Sequence, residues 1–215
     1  VTLTSAPVVA GAGATAVVGA AAVAFVLVTN AVFGHNLVVN GDAEGGPGAA
    51  DDQHTVSVPG WQTAGQLTAV RYGAGGGFPT QSDPGPPNRG QNFFAGGNAA
   101  RSTASQTIDV SSGGGGIDSG SKQYVLSGWL GGFAGQADSA TVTATFEDSA
   151  GHELGVATIG PVTPLTRADR TELILAQHRG NVPKGTRKIV VEIICNRVEG
   201  SYNDGYVDDL SLTIN

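Results

Sequence analysis

Charge is scarce in this chain. Asp, Glu, Lys and Arg make up 13% of its 215 residues, and the 18 acidic side chains outnumber the 11 basic ones, for a formal net charge of −7. A protein that grips a phosphate backbone needs a basic stripe, so this balance argues against a nucleic-acid partner. Only Arg167, Arg170 and residues 184–188 concentrate positive charge, and solvated loops account for them. Cysteine is nearly absent: Cys195 stands alone, so no intramolecular disulfide can form. It lies in the strand-like run IVVEIICN, residues 189–196, and reads as a small buried hydrophobe; no motif supplies the histidine that a catalytic thiol needs. Aromatics are 6% of the chain, lean for a dedicated sugar-stacking protein.

The signatures of catalysis are missing as well. There is no HExxH, no P-loop and no GxSxG elbow. The glycines at 113–116 lack the Lys-Ser/Thr that completes a phosphate cradle, and His35, His54, His152 and His178 have no metal-ligand spacing. Glu147 and Asp148 fall beside a hairpin turn, whereas a glycosidase needs two acids facing one cleft. The reading is a non-catalytic protein.

What is plentiful is glycine, 34 residues, about twice the ordinary ~7%. The glycines cluster at 73–77, 113–116 and 131–135, between runs rich in Val, Thr and Ile, as turns do in an all-β protein. Apolar residues at 40% suffice for a core. Strands are expected at 37–39, 67–72 and 93–95, with Val56-Ser-Val58 leading into Pro59-Gly60-Trp61. Residues 102–110 alternate cleanly, with Thr103, Ser105, Thr107 and Asp109 on one side and Ala104, Gln106, Ile108 and Val110 on the other. Residues 123–130 put Tyr124, Leu126, Gly128 and Leu130 on one face and Val125, Ser127 and Trp129 on the other. Residues 140–146 and 153–159 form a hairpin about the turn at 148–151. Residues 166–177 could open a helix or form a strand; the regular strand series favours the strand. Residues 187–194 and 207–214 complete the set. The loop at 73–90, carrying Pro79, Pro84, Pro86 and Pro87, is too long for inert packing. The fold class is all-β, a jelly-roll β-sandwich of about nine or ten strands with an apolar N-terminal segment; few adjacent pairs show two-residue hairpin turns, which favours crossovers over a meander.

Residues 1–34 carry no charged side chain and are set apart from a sandwich domain at 35–215. The apolar run 16–28 has the length of a signal-peptide h-region, with small residues at 29–31, but no Lys or Arg precedes it and the chain opens with Val1. Two other readings stay open: a membrane anchor, weakened by its many Gly and Ala, and an apolar arm that packs between subunits, giving self-assembly through residues 1–33. All three place the protein outside the cytoplasm, secreted or on an extracellular surface.

Three segments carry a resemblance: NLVVNGDAE at 36–44, PGW at 59–61 and VDDLSL at 207–212. Their order resembles the galactose-binding-like jelly roll of secreted carbohydrate-binding modules and related bacterial surface domains. Ala43 departs from it, standing where an aromatic is common. The resemblance implies that the first and last strands are neighbours and that a structural Ca²⁺ sits where the early acidic turn meets the last strand. The residues that match are Asp42 or Glu44 and Asp208 or Asp209; alternation sends Asp208 and Asp209 to opposite faces, and Asp209 is the preferred ligand. The ordinary reading is that these carboxylates cap turns in solvent. The resemblance also implies a glycan or surface polymer as partner, with aromatic platforms and polar groups among Trp129, Tyr124, Tyr72, Tyr202, Asn203 and Asp204. Trp61 and Trp129 also suit a core, and Asn203-Asp204-Gly205 suits a plain turn. The expected function is a secreted domain binding glycan with calcium support; the alternative is a structural subunit of an extracellular filament or surface layer, assembled through the N-terminal segment.

Overall fold

The computed structural model describes residues 27–28 and 33–215. The signal-peptide, anchor and arm readings of the N-terminal segment lie outside the described residues, save for Leu27–Val28, which forms a two-residue strand (β1). The strands that follow are β2 (Gln62–Ala64), β3 (Thr68–Arg71), β4 (Asn92–Gly97), β5 (Arg101–Asp109), β6 (Gln123–Gly132), β7 (Ser139–Glu147), β8 (Glu153–Ile159), β9 (Glu172–Asn181), β10 (Lys188–Asn196) and β11 (Asn203–Ile214). One short helix, α1 (Gly114–Asp118), lies between β5 and β6.

The strands form two sheets. The first runs β5-β10-β7-β8, with β1 and β2 sharing the free edge of β5; the second runs β3-β4-β11-β6-β9. Among the described residues only β3–β4 and β7–β8 are chain neighbours that pair. From β2 onward the chain otherwise crosses between sheets, as expected of a jelly roll from the scarcity of tight hairpin turns. All strand pairs are antiparallel except β1 with β5.

Alternation dictates the packing. On β5, Ala104, Gln106 and Ile108 are buried while Thr103, Ser105 and Asp109 are partly exposed. On β6, Tyr124, Leu126 and Leu130 enter the core between the sheets, where they meet Val142, Phe146, Ile189, Val191, Ile193 and Leu212. Cys195 belongs to this core, and burial pushes its thiol up to about 12. Trp61 does too, with its indole N–H donating to the Asn40 carbonyl at 3.0 Å.

A second apolar cluster lies on the outer side of the second sheet: Val70, Tyr72, Phe93, Leu173, Tyr202 and Tyr206, with Ala49, Phe78 and Ala95. The long loop 73–90 covers it. The loop is tied at one end by the Gly73 amide to the Pro79 carbonyl (2.8 Å) and reaches β9, where the Leu173 amide donates to the Pro84 carbonyl at 3.0 Å. It runs through turns, with the Asp83 amide donating to the Thr80 carbonyl (3.3 Å) and the Arg89 amide to the Pro86 carbonyl (3.4 Å).

Two expectations are corrected. Residues 37–39 lie along the sandwich but form no strand; the Gln106 side chain takes the place of a strand partner, accepting from the Val39 amide (2.9 Å) and donating to its carbonyl (3.1 Å). Residues 203–205 are not a turn but the start of β11, buried throughout. Asn203 and Asp204 look like turn residues because sequence alone does not show that their side chains find partners inside. The choice at 166–177 resolves into turns through Asp169, then strand from Glu172.

Candidate functional site

The two segments at opposite ends of the domain meet. The Leu210 amide donates to the Gly41 carbonyl (2.8 Å) and the Leu37 amide to the Leu212 carbonyl (2.8 Å). Asn36 clasps the same strand, its Nδ2 donating to the Leu210 carbonyl and its Oδ1 accepting from the Leu212 amide. The contact requires glycine at 41, because a Cβ there would sit 2.1 Å from the Leu210 carbonyl oxygen.

At this latch the four carboxylates do not share one point. Between Asp208 and Ser211 the β11–β6 register shifts, and Asp209 sits at the bulge with φ +46°. Asp208 is fully buried on the outer side of the sheet: its Oδ2 accepts from the Tyr72 hydroxyl at 2.6 Å and its Oδ1 from the Asp209 amide at 2.7 Å. Burial, then repulsion from Asp209 and Glu44, pushes its pKa up to about 7 against the two hydrogen bonds that favour the anion. Glu44 is exposed; its Oε1 accepts from the Gln91 and Asn92 amides, both at 2.7 Å. Asp209, half-buried, shares a shallow hollow of about 300 Å³ with Asp42, Asn36 and Asn40. Its pKa is raised by burial and by Asp42 and Glu44. Among the described residues no three acidic, histidine or cysteine side chains converge as a ready metal cluster. The chemistry of the donors nonetheless suits a hard cation. Among the described residues Asp208 has two acidic neighbours and no ion-pair partner, the Arg89 guanidinium lying over the Tyr72 ring instead, so its charge is poorly compensated, and Asp208 and Glu44 each keep lone pairs to spare.

The outer side of the second sheet is open beyond the loop-covered cluster. There β11, β6 and β9 lie side by side, and the register puts Ser211, Ser127 and Gln177 in one row, Thr213, Val125 and Arg179 in the next, with Trp129 opposite Leu175. Directly paired residues share a face. Trp129 is partly buried, resting its flank on the covered cluster, and Leu175 is 52% exposed. Arg179 Nε donates to Gln177 Oε1 at 3.1 Å, which holds both polar heads over the face. The trough ends in a hollow of about 350 Å³ lined by Gln123, Tyr124, Val125, Arg179, Asn181 and Asn215.

Of the aromatic and polar residues expected to meet a ligand, Trp129 alone lies on this open face. Tyr72 is buried under the loop, tilted against Phe93 at 4.9 Å. Tyr124 lines the end hollow but packs its ring on Phe146 at 4.8 Å and bonds His178 Nδ1 at 3.0 Å. Asn203 is buried, its Nδ2 bound to the Ala99 carbonyl. Tyr202 and Asp204 are mostly buried at the other end of β11. The sequence reading missed Leu175, Gln177 and Arg179, although the strand containing Leu175 was expected. The signal was the alternation of β9 in register with β6, which only pairing reveals.

No family model matches the chain, and no curated protein matches it. Solved structures do. The enzymatically active domain of a tailspike protein of bacteriophage CBA120 is similar over 84% of this chain at 13% identity, with a TM-score of 0.50. This chain spans only 21% of that structure, about a fifth. A family 16 carbohydrate-binding module matches over 83% of this chain and 99% of its own, at 19% identity and a TM-score of 0.47. The CBM22-1 xylan-binding domain of Paenibacillus barcinonensis matches over 76% of this chain and 90% of its own, at 12% identity and a TM-score of 0.40. Carbohydrate-binding modules are among the solved structures this chain is similar to.

Proposed function

We propose that the protein is a non-catalytic module that binds a polysaccharide chain in the open trough of the second sheet, outside the cell. The observation that carries this is the composition of the floor. Trp129 and Leu175 offer an apolar strip to the C–H faces of sugar rings, and Ser127, Gln177, Arg179 and Ser211 flank it with donors and acceptors for hydroxyls. Asp208, the carboxylate paired with Trp129 across β11 and β6, is buried and hydrogen-bonded, which supports binding rather than hydrolysis. The sequence resemblance to carbohydrate-binding modules supports the same reading. With a net charge of −7, a neutral glycan is the better partner than an anionic one. Isothermal titration with neutral hexasaccharides (xylo-, cello- and manno-series) tests it: binding to at least one series is expected, and no binding to any at millimolar sugar overturns it.

A second reading concerns the latch. We propose that Ca²⁺ binds between the 42–44 turn and β11, held by Glu44 and Asp208 with carbonyl oxygens and water completing its shell. The uncompensated burial of Asp208 supports this. Asp42 and Asp209 serve it by adding negative field rather than by direct ligation. The expected role is to fix the closing strand, with no part in sugar contact. A rise in melting temperature with CaCl₂, reversed by chelator, is the expected result; identical melts in both sink the metal.

A further inference from the structure

A separate cleft of about 190 Å³ opens beyond the Gly132 end of β6, lined by Asp52, Phe78, Phe133, Gln136, Tyr202 and Asp204. The trough described above does not use it. Two buried polar atoms on its lining residues have no hydrogen-bond partner: Gln136 Oε1 and the Tyr202 hydroxyl, the latter on a side chain only 9% exposed. The Gly97 amide approaches that hydroxyl without hydrogen-bond geometry. Leaving two such atoms bare is costly unless something else meets them.

The field at the cleft is negative. Asp204 is 9% exposed; one carboxylate oxygen accepts from the Tyr206 hydroxyl at 2.5 Å. Asp52 stands at the rim, half-buried, and Asp138 lies behind, its oxygens spent on the Val198, Glu199 and Asp204 amides. Two cations lie nearby: Arg167, fully buried, gives its Nη1 to the carbonyls of Gly132, Ala134 and Arg170 and its Nη2 to that of Gln136, leaving Nε without a partner, and Arg197 donates to the carbonyl of Ser201 on the cleft's lining. Aromatic rings supply the rest of the wall. Phe78 meets Tyr202 edge to face at 5.1 Å, and Phe133 is partly exposed. Two carboxylates among aromatic rings make a poor cage for a hard metal ion, which wants six or more oxygens. They suit an organic cation, which gains from carboxylates and ring faces together.

We propose that this cleft binds a primary ammonium group. Such a group carries three N–H donors, and Asp204, Gln136 Oε1 and the Tyr202 oxygen are three acceptors without enough donors of their own. The carbon bearing the nitrogen rests against Phe78 and Phe133, and Asp52 adds charge at the mouth. An amino sugar and a lysine side chain share this chemistry. The site is additional to the trough and does not depend on glycan binding there.

The test is an ¹H–¹⁵N NMR titration of the full chain with glucosamine and with Nα-acetyl-lysine methylamide, against N-acetylglucosamine, whose nitrogen carries no charge. Shifts of the Gln136 side-chain amide and of the Gly200 and Asp204 amides with either amine, and none with N-acetylglucosamine, are expected. A response to glucosamine alone names an amino sugar as the ligand, and one to the lysine derivative alone names a lysine side chain. Asp52→Asn at the rim spares the fold and should weaken amine binding about threefold, the usual worth of a partly exposed charge, while leaving hexasaccharide binding in the trough unchanged. Asp204→Asn should abolish it, with retained dispersion of the spectrum showing that the chain is folded. Binding should also weaken below about pH 6, where Asp204 takes up a proton; Asp52, Asp138, Arg167, Arg197, Tyr202 and Tyr206 are the other titratable groups around it. Equal shifts with N-acetylglucosamine, no shifts at tens of millimolar amine, or displacement of the amine by CaCl₂ from the same residues would each overturn the proposal.

Discussion

Replacing Asp208 by Asn separates the cost of a buried charge from the benefit of the cation proposed to offset it. In the folded protein the Asp208 carboxyl titrates at about 7 rather than at its ordinary 3.8, chiefly because it is buried. The folded state therefore holds a proton between pH 4 and pH 7 that the unfolded chain has already released. Stability from this group is fully present below about pH 4, falls as pH rises towards 7, and is level above. At ~1.4 kcal/mol per pKa unit, the gap corresponds to about 4 kcal/mol lost by pH 8. Asn keeps an oxygen to accept the Asp209 amide and exchanges hydrogen-bond direction with the Tyr72 hydroxyl, at a cost of about 1 kcal/mol for the weaker neutral bonds. In chelator at pH 8, Asp208→Asn should thus be the more stable protein by about 2–3 kcal/mol, or ~5–10 °C in melting temperature for a domain this size. At pH 4 the difference should shrink to zero or reverse. Saturating Ca²⁺ should reverse the order at pH 8, since only the wild type keeps the ligand. Urea melts at pH 4 to 8 in chelator read this directly. A wild type whose stability is flat across that range, with Asp208→Asn less stable at pH 8, would refute the reasoning.

Other outcomes follow from particular contacts. Arg167→Met strands four carbonyls that the guanidinium now serves; a loss of about 3–5 kcal/mol in urea denaturation is expected, and a loss below 1 kcal/mol would mean that water substitutes for the side chain. Gly41→Ala drives a methyl group into the Leu210 carbonyl and should lower stability by about 2–4 kcal/mol, with hydrogen exchange rising first at the Leu210 and Leu212 amides. Cys195 should stay unreactive to a thiol reagent at pH 8 in the native protein, since it is buried with its pKa pushed up to about 12, and react at once in denaturant.

The sandwich was legible because its signal is local. Period-two alternation on β5 and β6 names the buried face residue by residue, and burial follows it. The meeting of the 36–44 segment with β11 was legible from the resemblance of its motifs, and hydrogen bonds at Gly41, Leu210 and Leu212 show it. The candidate site was less legible because it depends on pairing. Nothing in the order of the chain says that Leu175 lies opposite Trp129, or that Gln177 lies opposite Ser127. Nor does it say that loop 73–90 folds over Tyr72 and Phe93 and removes Tyr72 from solvent. Asn203 and Asp204 misled for a different reason: their turn propensity is real, but partners inside the fold outweigh it.

The central claim is that the open face around Trp129 holds a sugar chain. Its most direct test is isothermal titration of the wild type and of Trp129→Ala with whichever hexasaccharide the wild type binds, alongside the melting temperature of each protein. Trp129 rests only its flank on the covered cluster, so the variant should fold. Its affinity should fall at least tenfold, about 1.4 kcal/mol, for the loss of one aromatic platform. Equal affinity in a folded variant would contradict the account.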